Sequence, residues 1–214
     1  MATIEQTLQN YSGQPWTHTL LLSVLKDYQR PDDKIYQLAR KGIIQPVRRG
    51  LYIPGPALQT SRGPEPFLLA NHIFGPSYVS METALAHHGL IPERVFEIAS
   101  ATIHASRKFV TSAGTFTYTQ LPLPYYAFGL RSEKLADGQY AMMATPEKAL
   151  FDKIITTSGL LFRSKKAARE FLLENLRIDE EDLKRLDVQQ MTGWVNESMK
   201  SKSLSMMIDA IKEL

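Results

Sequence analysis

The sequence predicts an α+β protein in two parts, and three observations carry that expectation. A helix–turn–helix–hairpin pattern fills residues 14–56, β-prone runs separated by glycine turns occupy residues 95–144, and helical periodicity returns from Ser164 to Leu214. With 214 residues, 43% of them hydrophobic and 22% charged, the chain has material for a real core and more length than one small module needs. The expected division is a module over 1–56, a linker over 57–63 and a larger domain over 64–214. That domain reads as α+β to about residue 157 and as a helical tail over 158–214.

The elements of the first module follow from their end signals. Thr17 caps a helix whose apolar positions 20, 21, 24, 25 and 28 share one stripe. Gln29-Arg30-Pro31 breaks it. Pro31 suits the first position of a second helix, Asp32 and Asp33 suit its first turn, and Gly42 stops it. Ile35, Leu38 and Ala39 point at a core, which leaves Asp33, Gln37 and Arg40 outward, flanked by Lys34, Tyr36 and Lys41. Ile43–Val47 and Leu51–Pro54 then form a hairpin with Arg48 and Arg49 at its tip, and Pro46 confines its strand to an edge.

Charge is unevenly distributed. Residues 14–56 hold seven bases against the three acids Asp27, Asp32 and Asp33, a net of +4, whereas residues 57–214 hold 18 of each. A small cationic unit on a neutral body suits a polyanion. Helix, turn, helix and basic hairpin is the order of a winged helix-turn-helix: the second helix fits a major groove and the wing grips the backbone. Gln37 and Arg40 are residue types that contact base edges bidentately, and Lys34, Lys41, Arg48 and Arg49 suit phosphates. Asp32 and Asp33 weigh against this, since they would repel phosphates if they faced the duplex. A module that docks protein, its bases merely solvated, is the alternative reading.

In the larger domain, helices are expected at Glu65–Phe74 and Met81–His88, the second capped by Ser80. Strands are expected at Val95–Ile103, Lys108–Thr111, Thr115–Leu121, Tyr125–Leu130 and Gln139–Ala144, giving a mostly antiparallel sheet. Thr145 caps a further helix with Pro146 at its first position, Leu150, Phe151, Ile154 and Ile155 buried, and Lys148 with Asp152 as an exposed i,i+4 pair. Four helical segments follow, with Ser164, Asp179, Asp187 and Ser201 as cap-like residues.

Chemistry-bearing patterns are sparse. The absence of cysteine removes disulfides, thiolate catalysis and cysteine zinc sites. Adjacent His87 and His88 point about 100° apart on a helix and do not chelate as an i,i+4 pair does. No phosphate-cradling glycine loop or nucleophile elbow occurs, and Ser80 and Lys148 each have a plain helical role. The expectation is a protein that is not an enzyme and has no cofactor and no metal. No apolar run reaches 18 residues, and the start lacks a basic-then-apolar leader, so a cytoplasmic chain without a membrane partner is expected.

Several blocks carry a family resemblance. Tyr78-Val79-Ser80-Met81-Glu82-Thr83-Ala84-Leu85, then Gly89-Leu90-Ile91-Pro92-Glu93, and later Met143-Ala144-Thr145-Pro146-Glu147-Lys148-Ala149-Leu150-Phe151-Asp152, resemble those of the AbiEi family of type IV toxin–antitoxin antitoxins. Lys108–Thr111, Gly114–Tyr118 and Tyr126–Gly129 are similar to blocks lying between them, and the whole spans about residues 66–157. Lys41-Gly42-Ile43-Ile44 with Arg48-Arg49-Gly50-Leu51-Tyr52 also resembles the end of that family's N-terminal winged helix. The resemblance implies a DNA-binding winged helix joined to an antitoxin domain. It further implies repression of the protein's own operon and action, functional or physical, against a nucleotidyltransferase-like toxin. The implied partners are operator DNA and that toxin, with self-association left open.

Overall fold

A computed structural model describes residues 3–60, 63–93 and 95–214; Ser61 and Arg62 of the expected linker lie outside the described residues. The protein is α+β, 45% helix and 20% strand, with one three-stranded and one six-stranded sheet. No helix among the described residues is long and apolar enough to cross a membrane.

The first unit comprises α1 (Ile4–Asn10), β1 (Trp16–Thr17), α2 (His18–Val24), α3 (Pro31–Arg40), β2 (Ile44–Arg48) and β3 (Leu51–Pro54). Helix α1 was not foreseen; a capping box fixes its start, Thr3 accepting from the Gln6 N–H while the Gln6 side chain accepts from Thr3. Strand β1 is only two residues long, and its Trp16 is fully buried with the indole N–H donating to the Tyr11 carbonyl at 2.8 Å. Thr17 caps α2 as expected, but the helix ends at Val24 and Tyr28 is 41% exposed, outside the buried stripe. The strand order β1-β3-β2 leaves Pro46 on an edge strand, where its missing N–H costs no ladder bond.

Leu8, Trp16, Leu21, Leu25, Ile35, Leu38, Ile44 and Leu58 form this unit's core. Leu58 lies past the expected boundary at 56 because the chain after β3 folds back on the helix end. The Gly55 N–H donates to the Ile43 carbonyl and the Ala57 N–H to the Gly42 carbonyl. A Cβ on Gly55 would sit 2.2 Å from the Gly42 oxygen, so only glycine permits this approach.

The second unit runs α4 (Pro66–Ile73), β4 (Ser77–Val79), α5 (Met81–His87), β5 (Glu97–Thr102), β6 (Arg107–Thr111), β7 (Gly114–Gln120), β8 (Leu130–Lys134), β9 (Tyr140–Ala144) and α6 (Pro146–Thr156). Its tail is α7 (Lys165–Glu170), extended by a π-helical turn to Asn175, then α8 (Glu180–Lys184), α9 (Val188–Trp194) and α10 (Ser201–Lys212). Ser164, Asp179 and Asp187 cap their helices; Ser201 instead lies inside α10, after Lys200.

The sheet order is β6-β7-β5-β4-β9-β8. It is more mixed than the mostly antiparallel sheet expected, with three antiparallel pairs and two parallel ones. The cause is insertion. β7 enters between its hairpin partner β6 and β5, running parallel to β5 from Glu97↔Thr115 to Thr102↔Gln120. β9 likewise returns beside β4, pairing only at Val79↔Met143. Asn71 on α4 completes that short junction: its side-chain amide donates to the Met142 and Ser77 carbonyls and accepts from the Met142 N–H at 2.7 Å. The expected strand Tyr125–Leu130 is a 3₁₀ turn over Tyr125–Ala127 followed by β8, because the Tyr125 ring is drawn into the interior rather than onto a sheet face.

Tyr78, Val79, Phe116, Tyr118, Met143, Leu150, Phe151 and Ile154 centre the second core, which Leu183, Met191, Leu204, Met207 and Ile208 extend into the tail. Val47 of β2 and Leu51 of β3 also belong to it. The hairpin is thus shared between the two units. The Ser112 hydroxyl donates to the Pro46 carbonyl at 3.2 Å, and the Gln139 side chain bridges to the Gly63 carbonyl and the Glu65 N–H.

Gly129 joins tail to sheet. At φ +60°, a Cβ there would meet Lys148 Cβ and Trp194 Cη2, each at 2.7 Å. Gly129→Ala is expected to lower unfolding stability by about 2–4 kcal/mol, read from urea midpoints, since backbone strain and overpacking add. An unchanged midpoint would contradict the close packing of α9 on this turn.

Candidate nucleic-acid interface

Helix α3 owes its placement to Ile35 and Leu38, both buried, and to Pro31 at its first position. That anchoring turns Tyr36, Gln37, Arg40 and Lys41 outward as exposed residues, with Lys34 half-buried. The Lys34 ammonium lies 4.9 Å from the centre of the Tyr28 ring, and the Arg40 guanidinium 5.9 Å from that of Tyr36. Tyr36 itself is 65% exposed. Lys34 and Gln37 border a shallow groove of about 330 Å³ with Tyr28, Gln29, Arg30 and Asp33.

Arg48 and Arg49 are both exposed at the turn of the hairpin. His18 brings that turn next to the start of α3. Its backbone N–H donates to the Gly50 carbonyl at 2.9 Å, and its ring Nε2 lies 3.0 Å from Asp32. The hairpin turn and the first turn of α3 therefore flank a single residue. Of the seven expected contact residues, six are exposed and Lys34 is half-buried, and they lie on or beside two neighbouring elements. The two acids also acquire partners: Asp32 has His18, and Asp33 has Arg30 at 3.7 Å. Arg30, the N-cap residue of α3, reaches Asp33 three positions on, whereas His18 comes from the start of α2 and only folding sets it beside the helix start.

A second cluster departs from the expectation. Lys148 and Asp152 were expected to form an exposed pair; both are fully buried, 3.0 Å apart. Seven residues of α6 are buried, Lys148 and Asp152 among them, because the helix is covered by the sheet, α5 and the tail and has no outer face at these positions. Ser80 makes no capping bond. Its hydroxyl donates to Asp152 Oδ2 at 2.7 Å, Tyr78 donates to the same oxygen at 2.9 Å, and Tyr125 donates to Oδ1 at 2.6 Å. The Lys148 ammonium also donates to the Tyr125 carbonyl at 3.0 Å and lies 3.2 Å from the centre of that ring. The carboxylate thus meets four donors, which offsets the cost of taking it from water. With Ser80, Lys148 and Asp152 at zero exposure, the cluster offers nothing to a ligand arriving from solvent.

Burial pulls the Lys148 ammonium down to about 8, against Asp152, which holds it up. Burial, then Asp152, pushes the Tyr78 and Tyr125 phenols well above their ordinary range. Among the described residues no three histidine or carboxylate side chains converge on a possible metal position. No protein-family model matches the chain, and no curated protein matches it.

The buried lysine gives stability a testable pH dependence. Its proton is lost more readily in the folded protein than in the unfolded chain, so its burial penalty is relieved as pH rises from about 8 towards 10. The raised phenols act oppositely and lower stability above about pH 10, where unfolded tyrosines ionise. Urea midpoints are expected to climb between pH 8 and 10, and the climb is expected to vanish in the Lys148→Met/Asp152→Asn double variant. Asp152→Ala alone leaves the lysine unpaired and is expected to cost about 3–5 kcal/mol.

Proposed function

We propose that the protein is a DNA-binding transcriptional autorepressor, its first unit a winged helix-turn-helix with α3 as the recognition helix and the β2–β3 turn as the wing. The observation that carries this reading is the juxtaposition, on either side of His18, of a hairpin turn bearing Arg48 and Arg49 and a helix whose outward side chains are Lys34, Tyr36, Gln37, Arg40 and Lys41. Helix α3 is about 15 Å long, short enough to lie within a major groove. Gln37 and Arg40 are outward residues of types that contact base edges, and the lysines and hairpin arginines are of types that suit phosphates. The Arg30 guanidinium beside Asp33 offsets part of the repulsion that this carboxylate would impose on a duplex. The resemblance of residues 66–157 to AbiEi blocks supports the further reading of the second unit as an antitoxin domain acting against a nucleotidyltransferase-like toxin.

The test is binding to the DNA upstream of the protein's own reading frame across a salt series. Neutralising about four phosphates predicts a slope of log affinity on log salt near −3.6. The Arg48→Ala/Arg49→Ala variant is expected to bind every sequence more weakly and to flatten the slope by about two. Gln37→Ala or Arg40→Ala is expected to erode discrimination between operator and random duplex by about 1–3 kcal/mol with the slope little changed. Indifference of duplex binding to both wing arginines would sink the assignment; capture of a partner protein by α3 without any duplex shift would make this a protein-docking module.

A further inference from the structure

We infer that the cleft where the hairpin meets the second unit is a binding site for a small phosphorylated anion, and that such a ligand competes with DNA for Arg48. The inference builds on the DNA-binding reading only through that competition. The cleft has a volume of about 650 Å³ and is lined by Arg48 from β2, Phe74 after α4, and His104, Ser106 and Arg107 from the β5–β6 connection and the start of β6. Two segments far apart in sequence thus contribute two guanidinium groups, an imidazole and a hydroxyl, and a third supplies the Phe74 ring. No carboxylate lies among the lining residues, and Glu97 on β5 is engaged by Lys108 at 2.6 Å.

Arg107 and His104 rest on a floor of aromatic rings. The Arg107 guanidinium lies 5.9 Å from the Phe74 ring centre and 5.5 Å from that of Phe109. His104 packs against Phe74 at 5.6 Å, and Phe74 is itself wedged against Tyr118 at 5.3 Å. Tyr118 is buried, its hydroxyl bound to the Ala70 carbonyl at 2.6 Å. A guanidinium lying over rings that accept no hydrogen bond from its edge keeps N–H groups for an anion, and such a fork can grip a phosphate oxygen pair. Ser106 accepts from the Gln120 N–H, which leaves its own proton to donate. The rings are committed to one another and to Arg107, so the site favours the phosphate part of a ligand over a stacked base. A concavity of this volume suits a compact polyphosphate-bearing molecule.

Because Arg48 belongs both to the cleft and to the wing, ligand and duplex draw on the same charge. Occupancy also lands on the joint where Val47 and Leu51 enter the second core. The effect on DNA is therefore antagonistic, and the coupling is reciprocal.

The experiment titrates inorganic tripolyphosphate into the full chain by calorimetry, with sodium chloride at matched ionic strength as the control, and repeats the duplex titration with and without tripolyphosphate. Saturable one-to-one binding is expected, weakened about tenfold or more in Arg107→Gln and in Arg48→Ala, as loss of one charge-assisted contact implies. Thermal unfolding of Arg107→Gln checks that the variant is folded, and Arg107→Lys is expected to restore part of the affinity. Tripolyphosphate is expected to weaken duplex binding by the wild-type chain and not by Arg107→Gln. Three results would overturn the inference: no heat beyond the chloride control, binding indifferent to Arg107→Gln, or duplex affinity falling as far in Arg107→Gln as in Arg48→Ala, which would make the cleft part of the duplex surface. Arg107-dependent tripolyphosphate binding without any duplex binding would leave the cleft standing and remove the DNA reading.

Discussion

A single buried carboxylate organises the second unit. Asp152 takes hydroxyl donors from β4 through Tyr78, from the strand–helix junction through Ser80 and from the 3₁₀ turn through Tyr125, while Lys148 supplies the compensating charge from one helical turn earlier. Such a pair is a poor source of net stability, because desolvation consumes much of the attraction. Its effect is on register. Each donor reaches the carboxylate only if its own element is correctly seated, and a misplaced element would strand a charge in the interior. The turn after Tyr125 is then closed from the other side, where Gly129 lets Lys148 and Trp194 come together.

That rigidity reaches the surface through the hairpin. Val47 and Leu51 are inserted in the core of the second unit, while Ile44 of the same sheet packs in the core of the first. The two arginines at the turn are consequently mounted on an element that both cores hold. The cations of the turn are thereby held at a fixed spacing from α3, and motion of the hairpin relative to the helix would have to disrupt apolar packing on two sides.

The electrostatics divide in the same manner. Two cations of the first unit lie over aromatic rings, Lys34 over Tyr28 and Arg40 over Tyr36, while the acids at the start of α3 have His18 and Arg30 as neighbours. Much of the surface charge of the second unit is instead spent in cross-element ion pairs, such as Lys153 with Glu82, Arg177 with Glu93 and Arg169 with Glu180. Arg107 departs from that pattern, its charge lying over rings.

Local signals were legible wherever one residue type decided a backbone event. Thr17 and Thr145 cap helices, Pro31 and Pro146 open them, Gly42 and Gly50 take positive φ, and Pro46 sits on an edge strand, all as the sequence implies. The period-3.6 pattern of α3 likewise selected the buried Ile35 and Leu38 and the outward residues opposite them. What the chain alone left undecided were the facts that depend on a partner distant in sequence: the parallel insertion of β7 beside β5, the recruitment of Val47 and Leu51 to a second core, and the burial of Lys148 and Asp152. An i,i+4 lysine–aspartate pair looks the same whether water or a sheet lies against it. Only the tertiary structure decides which, because the free energy of a charge depends on the dielectric and the donors around it, and these come from β4, the Tyr125 turn and the tail rather than from the helix that carries it.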